Sequence, residues 1–160
     1  MDKAELRSRN ADFAKILEPL ARIVASIPCD NSRAARAALE QRAPIAGELV
    51  ASIRAAAERG ISEGWLVYKG EPGLLFGRVA KDLLGFSVDA VLMDKAGPRH
   101  RHPKGEYDLC LATAGQAKFD GQDQGWVVYP PNSVHVPTVT DGEMLILYFL
   151  PGGAFELLPE

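Results

Sequence analysis

Gly97-Pro98-Arg99-His100-Arg101-His102-Pro103-Lys104-Gly105-Glu106 carries two of the three histidines of this 160-residue chain, with a carboxylate close behind them. The third histidine closes Gly125-Trp126-Val127-Val128-Tyr129-Pro130-Pro131-Asn132-Ser133-Val134-His135. Residues two apart on a strand point to the same face, so His100 and His102 enter an interior together. Glu106 follows a short Pro-Lys-Gly turn and joins them from the next strand, and His135 is expected from a strand across the barrel or sandwich. Three imidazoles and one carboxylate make a mixed nitrogen and oxygen donor set suited to a divalent first-row metal. Four protein ligands leave up to two positions open in an octahedral sphere, where chemistry can occur.

Outward from this stretch, everything after about residue 61 reads as short apolar runs between Gly, Pro and Asp turns. Strands are expected near 65–69, 74–80, 84–94, 97–102, 106–113, 116–119, 126–130, 134–139 and 143–149. Glu71-Pro72-Gly73, Asp120-Gly121 and Asp141-Gly142 fall between them as hairpin turns. The expected fold class is mainly β, an antiparallel sandwich or small barrel, with a helical section before it. There Phe13, Ile16, Leu17, Leu20, Ile23, Val24 and Ile27 recur at three- and four-residue steps, which predicts a helix over roughly 3–26. A second helix is predicted over about 33–42, with Asn31 or Ser32 as its cap, and a third over 45–58 closed by Gly60. Residues 1–60 therefore read as a helical extension packing on a barrel of residues 61–160, the two forming one structural domain.

Composition removes several function classes. The chain has 18 Lys+Arg against 21 Asp+Glu, a net charge of -3, and no dense basic run, which argues against nucleic acid or an anionic membrane as partner. Its longest wholly apolar run, Met144 to Leu150, is far short of the ~20 residues of a membrane-spanning helix. The charged start Met-Asp-Lys-Ala-Glu-Leu-Arg leads into no apolar stretch of signal-peptide type, so the expected location is cytoplasmic. Cys29 and Cys110 stand in no paired pattern and are expected as free thiols.

The spacing Gly97…His100-x-His102-x-x-x-Glu106…Gly115 and Gly125…Pro130…His135 resembles the two motifs of the cupin superfamily, with a shortened gap before His100, a lengthened one after Glu106, and Asn132 where a Gly is usual. A narrower resemblance covers most of the last hundred residues. Gly97 to Cys110, Phe119-Asp120-Gly121, Gly125 to Pro131, His135 to Val139 and Leu145 to Pro151 are similar to the small cupins called 4-hydroxylaminobenzoate lyases. That resemblance implies a cupin barrel and conversion of 4-hydroxylaminobenzoate to 3,4-dihydroxybenzoate with release of ammonia, in nitrobenzoate degradation. It also implies a homodimer. Substrate plus one water balances product plus ammonia, so no nucleotide, flavin or dioxygen is demanded.

On this reading His100, His102, Glu106 and His135 hold one divalent metal per chain, whether iron, manganese, nickel, cobalt or zinc. Strand alternation sends Asp108 and Cys110 inward beside Glu106, so Glu106 and Asp108 are the candidate catalytic carboxylates. A small aromatic carboxylate needs a cationic or hydrogen-bonding anchor and an apolar slot. Arg78, Arg101, Tyr107, Tyr129 and Tyr148 are the candidate anchors, with Trp126 or Phe86 as walls, although alternation points Arg101 and Tyr107 outward. Two other readings use the same residues: an iron-dependent dioxygenase of a small thiol or aromatic substrate, and a cupin that binds a small molecule without turning it over.

Overall fold

The structure, a computed structural model, describes residues 1–159. Three helices come first: α1 (Lys3–Ala25), α2 (Ser32–Arg42) and α3 (Glu48–Glu63). The Asp2 side chain caps α1 by accepting from the Glu5 amide, and the Asn31 side chain caps α2 by accepting from the Ala34 amide, each satisfying one orphan donor of a first turn. The third helix runs five residues further than its apolar spacing suggested. Gly64, at φ 84°, closes it, while Gly60 lies buried within the last turns. A Cβ on Gly60 would stand 2.8 Å from the Trp65 ring, so the glycine is there for close approach and not for a left-handed turn.

Nine strands follow: β1 (Lys69–Glu71), β2 (Leu74–Leu83), β3 (Phe86–Met93), β4 (His100–His102), β5 (Glu106–Phe119), β6 (Gly125–Tyr129), β7 (Ser133–His135), β8 (Val139–Pro151) and β9 (Glu156–Leu157). They build a six-stranded antiparallel sheet in the order β1-β2-β3-β8-β5-β6 and a three-stranded one in the order β7-β4-β9. This is a mainly β, antiparallel class with an N-terminal helical section. Among the described residues its ladders form two sheets and no single closed ring.

Asp120-Gly121 is a hairpin turn with both residues at positive φ, closed by reciprocal bonds between Phe119 and Gln122. Asp141-Gly142 is not a turn. Its two positive φ angles sit inside β8, opposite Gly115 of β5, where both strands are irregular and their pairing then resumes at Lys118↔Thr140. The expected strands 106–113 and 116–119 are thus one long strand, and the run 143–149 belongs to a strand that starts at Val139.

Alternation divides the large sheet. Tyr107, Leu109, Leu111, Leu145, Leu147, Phe149 and Trp126 join the helices' Phe13, Leu17, Leu20, Leu39 and Ile53 in the larger core. Cys110, Val127, Met144, Ile146 and Tyr148 face the other way, with Phe119 and Val139, into a smaller one. The apolar run Met144 to Leu150 is therefore buried on both faces within a single chain: helices cover one side and the small sheet's side covers the other.

Candidate metal centre

His100 and His102 lie two apart on β4 and point together into the space between the sheets. His135 arrives on β7, directly paired with β4, in the register His100↔His135. The neighbour relation is the reverse of the one expected: His135 comes from the adjacent strand, and Glu106, though only four residues after His102, comes from the opposite sheet. The tight turn between them makes this possible. Gly105 has φ 88°, its amide donates to the His102 carbonyl at 3.1 Å, and a Cβ there would meet Cys29 Sγ at 2.4 Å.

The four side chains converge. Nε2 of His135 lies 3.0 Å from Nε2 of His100 and 3.0 Å from Nε2 of His102. Glu106 Oε2 is 3.1 Å from His102 Nε2 and 3.4 Å from His135 Nε2. Ligand atoms from all four residues lie within 4.8 Å of one another. Two nitrogens held at right angles at the usual metal–nitrogen distance of about 2.1 Å are about 3.0 Å apart, so this donor spacing fits a first-row ion.

The outer partners fit as well. His100 Nδ1 is 3.0 Å from the Pro98 carbonyl and His135 Nδ1 is 2.8 Å from Asp120 Oδ2; both partners can only accept, so Nδ1 donates and Nε2 is the nitrogen of each ring left to face a cation. Asp120 also accepts from the Tyr129 hydroxyl and, through Oδ1, from the Thr138 amide at 2.8 Å.

Electrostatics point the same way. Burial, reinforced by the neighbouring His102, lowers the His100 pKa to about 4, so this imidazole is neutral. Burial also pulls His135 down, but hydrogen bonds to Asp120 and Glu106 outweigh it and raise the group to about 9. Burial and the adjacent Glu106 push Asp108 well above the carboxylate range, whereas the imidazoles outweigh burial at Glu106 and hold it ionised. A buried anion beside a proton-bearing imidazole is a place that a divalent cation can take, releasing that proton.

A cavity of ≈430 Å³ opens beside these ligands, lined by His100, Glu106, Tyr148, Asp89, Arg78 and Phe155 among others. Arg78, Asp89, Tyr148 and Asp108 oppose one another in one register row across four neighbouring strands. Arg78 Nε donates to Asp89 Oδ1 at 2.6 Å.

The remaining candidates lie elsewhere. Tyr107 donates its hydroxyl to the Ile27 carbonyl and Trp126 its indole N–H to the Ala43 carbonyl at 2.8 Å, both on the helix side of the sheet, where Phe86 packs too. Their expected substrate contacts are corrected accordingly: Tyr107, with Leu109 and Leu111 of β5, and Trp126 of β6 belong to the larger core. Arg101 faces outward and pairs with Glu156 at 2.6 Å, so it is not beside the cavity either. Tyr129 stacks its ring 4.3 Å from that of His135 and serves Asp120.

Asp120 itself was missed, because Asp-Gly reads as a turn and here the same residue turns the chain and orients an imidazole. Asp120→Asn should weaken metal binding by about 10- to 100-fold, measured by competition with a chelator; unchanged affinity would remove its orienting role.

The family comparison agrees with the narrower of the two sequence resemblances. A family model described as PnbB, 4-hydroxylaminobenzoate lyase, matches residues 15–157. A 4-hydroxylaminobenzoate lyase of Nocardioides sp. (strain LMS-CY) is 29% identical over 62% of this chain and 68% of its own length. One of Pseudomonas putida is 29% identical over 59% of this chain and 65% of its own. The matched region thus spans about two thirds of these relatives. Among solved structures, DMSP lyase DddQ from Ruegeria pomeroyi aligns at 17% identity and a TM-score of 0.46, covering 67% of each chain. A cupin-like protein from Thermotoga maritima aligns at 18% identity and 0.42, covering 59% of this chain and 86% of that one.

Proposed function

The chain belongs to the 4-hydroxylaminobenzoate lyase family, and on that premise we propose that it is a metal-dependent lyase that converts 4-hydroxylaminobenzoate and water to 3,4-dihydroxybenzoate and ammonia. The observation that carries the proposal is a donor set of three imidazoles and a carboxylate at one end of an apolar-walled cavity that also holds a guanidinium. His100, His102, Glu106 and His135 would hold one divalent first-row ion. When bound, that ion supplies Lewis acidity toward the N-hydroxyl oxygen of the substrate, whose N–O bond must break.

The chain's own groups account for the rest. Arg78 takes the substrate carboxylate, because its Nε is fixed by Asp89 while the other end of the guanidinium remains for a ligand. Ser87 Oγ, buried on the same cavity wall without a protein partner, offers a further hydrogen bond there. Val91, Leu150 and Phe76 give the ring its apolar slot. Asp108, kept protonated by burial beside Glu106, holds a proton within the site. In the balanced reaction a water oxygen bonds the ring carbon ortho to the nitrogen-bearing one and gives up a proton, while the N–O bond breaks and its oxygen takes a proton and leaves as water. A second water hydrolyses the resulting imine and frees ammonia, and transfer of the ring proton to the new carbonyl oxygen restores the aromatic ring, so one water is consumed net.

Arg78→Gln should raise KM for 4-hydroxylaminobenzoate about 10- to 100-fold and leave KM for its carboxamide nearly unchanged; an equal change for both would exclude the anchor. The reaction itself is tested by anaerobic incubation of the purified protein with 4-hydroxylaminobenzoate. Equimolar ammonia and 3,4-dihydroxybenzoate without oxygen are expected. Turnover that requires oxygen, or none at all, would overturn the proposal in favour of a dioxygenase or a binding protein.

A further inference from the structure

Beyond the last long strand, residues 152–158 fold back onto the small sheet. Gly152 and Gly153, at φ 61° and 68°, turn the chain back; the Gly152 amide donates to the Gly85 carbonyl at 2.8 Å and the Gly153 amide to that of Leu150 at 3.0 Å. Residues 156–157 then pair with β4, the strand of His100 and His102, in the register His100↔Leu157 and Arg101↔Glu156. The Leu158 amide donates to the Arg99 carbonyl at 3.0 Å, and the Arg101–Glu156 ion pair clamps the outer face. This strap delivers one aromatic ring to the cavity. Phe155 sits with its centroid 4.9 Å from the His100 ring and 6.2 Å from that of His102, and it lines the cavity together with His100 and Glu106.

Phe155 nevertheless remains 45% exposed. A large apolar ring fixed at both flanks by backbone bonds, yet left open toward a cavity, is placed for something other than the core. Across the cavity stand aliphatic and aromatic side chains of β2 and β3, Leu74, Phe76 and Val91. A flat ring between the two walls would meet the Phe155 ring beside the imidazoles, a contact that is stronger for an aromatic than for a puckered saturated ring.

We propose that Phe155, carried on the C-terminal strap, is the ring-face contact by which this cavity selects planar aromatic acids over saturated acids of equal charge. The proposal rests on the reading of the cavity as a site for an aromatic carboxylate, and it extends that reading to a residue that is neither the proposed carboxylate anchor nor a proposed metal ligand.

Binding, not turnover, tests it. Benzoate and cyclohexanecarboxylate are titrated calorimetrically into the protein as purified, into Phe155→Leu, which keeps apolar bulk, and into Phe155→Tyr, which keeps the ring; metal content is measured for each. The wild type should prefer benzoate by about tenfold, Phe155→Leu should lose most of that preference at unchanged metal content, and Phe155→Tyr should retain it. A wild type without preference, or a Phe155→Leu protein with the full preference, would overturn the assignment. Absence of ammonia release with the preference intact would instead count against the lyase reading alone.

Discussion

Replacing His135 by alanine should yield a folded protein that no longer retains its metal after desalting, and His100→Ala should do the same. Each substitution removes one of three imidazole donors whose Nε2 atoms stand 3.0 Å apart around His135. Loss of an orienting outer partner alone costs about 10- to 100-fold in affinity, so loss of a donor should exceed that. The fold should survive because β4 and β7 keep their backbone ladder, and because both side chains face the space between the sheets and not the core beneath the helices. Metal analysis alongside far-UV circular dichroism checks this. A metal-replete, fully active His135→Ala protein would remove these residues from the centre.

The largest stability effect is expected on the other face of the sheet. Trp126 is completely buried and is among the largest fully enclosed side chains. Its indole N–H donates to the Ala43 carbonyl at the end of α2, and its ring lies 6.4 Å from that of Phe149. Trp126→Ala should therefore cost about 3–5 kcal/mol by urea unfolding, from lost burial and an unfilled cavity. Trp126→Phe should cost about 1–3 kcal/mol, chiefly from the carbonyl left without its donor. Neither variant should lower metal content while it remains folded. If Trp126→Phe instead changed KM at unchanged stability, Trp126 would have to be a wall of the substrate site after all.

Much of the site was legible because strand alternation is local. It put His100 with His102, and Glu106 with Asp108 and Cys110, on shared faces, and it set Tyr107 and Arg101 facing outward from the space that those residues line. What alternation cannot tell is which sheet a strand enters. His135 and Glu106 therefore exchanged places between neighbouring and opposite strand, and Trp126 was assigned to the cavity when its side of β6 meets α2. The Asp-Gly pairs failed for a related reason. Positive φ satisfies a hairpin at Asp120-Gly121 and a paired irregularity at Asp141-Gly142 equally well, and only the partner strand distinguishes them.

Groups defined by distant partners were the least legible. Asp120 reaches His135 fifteen residues away, and the strap that carries Phe155 is specified by its pairing with β4 and not by any apolar pattern of its own.

The central claim, that this metal centre performs the lyase reaction, is met most directly by stripping the protein with a chelator and titrating the metal found on purification back under anaerobic conditions while ammonia release is followed. The account predicts no turnover by the stripped protein and a rate that rises linearly to a break at about one equivalent per chain. Full ammonia release by the metal-free protein would contradict it.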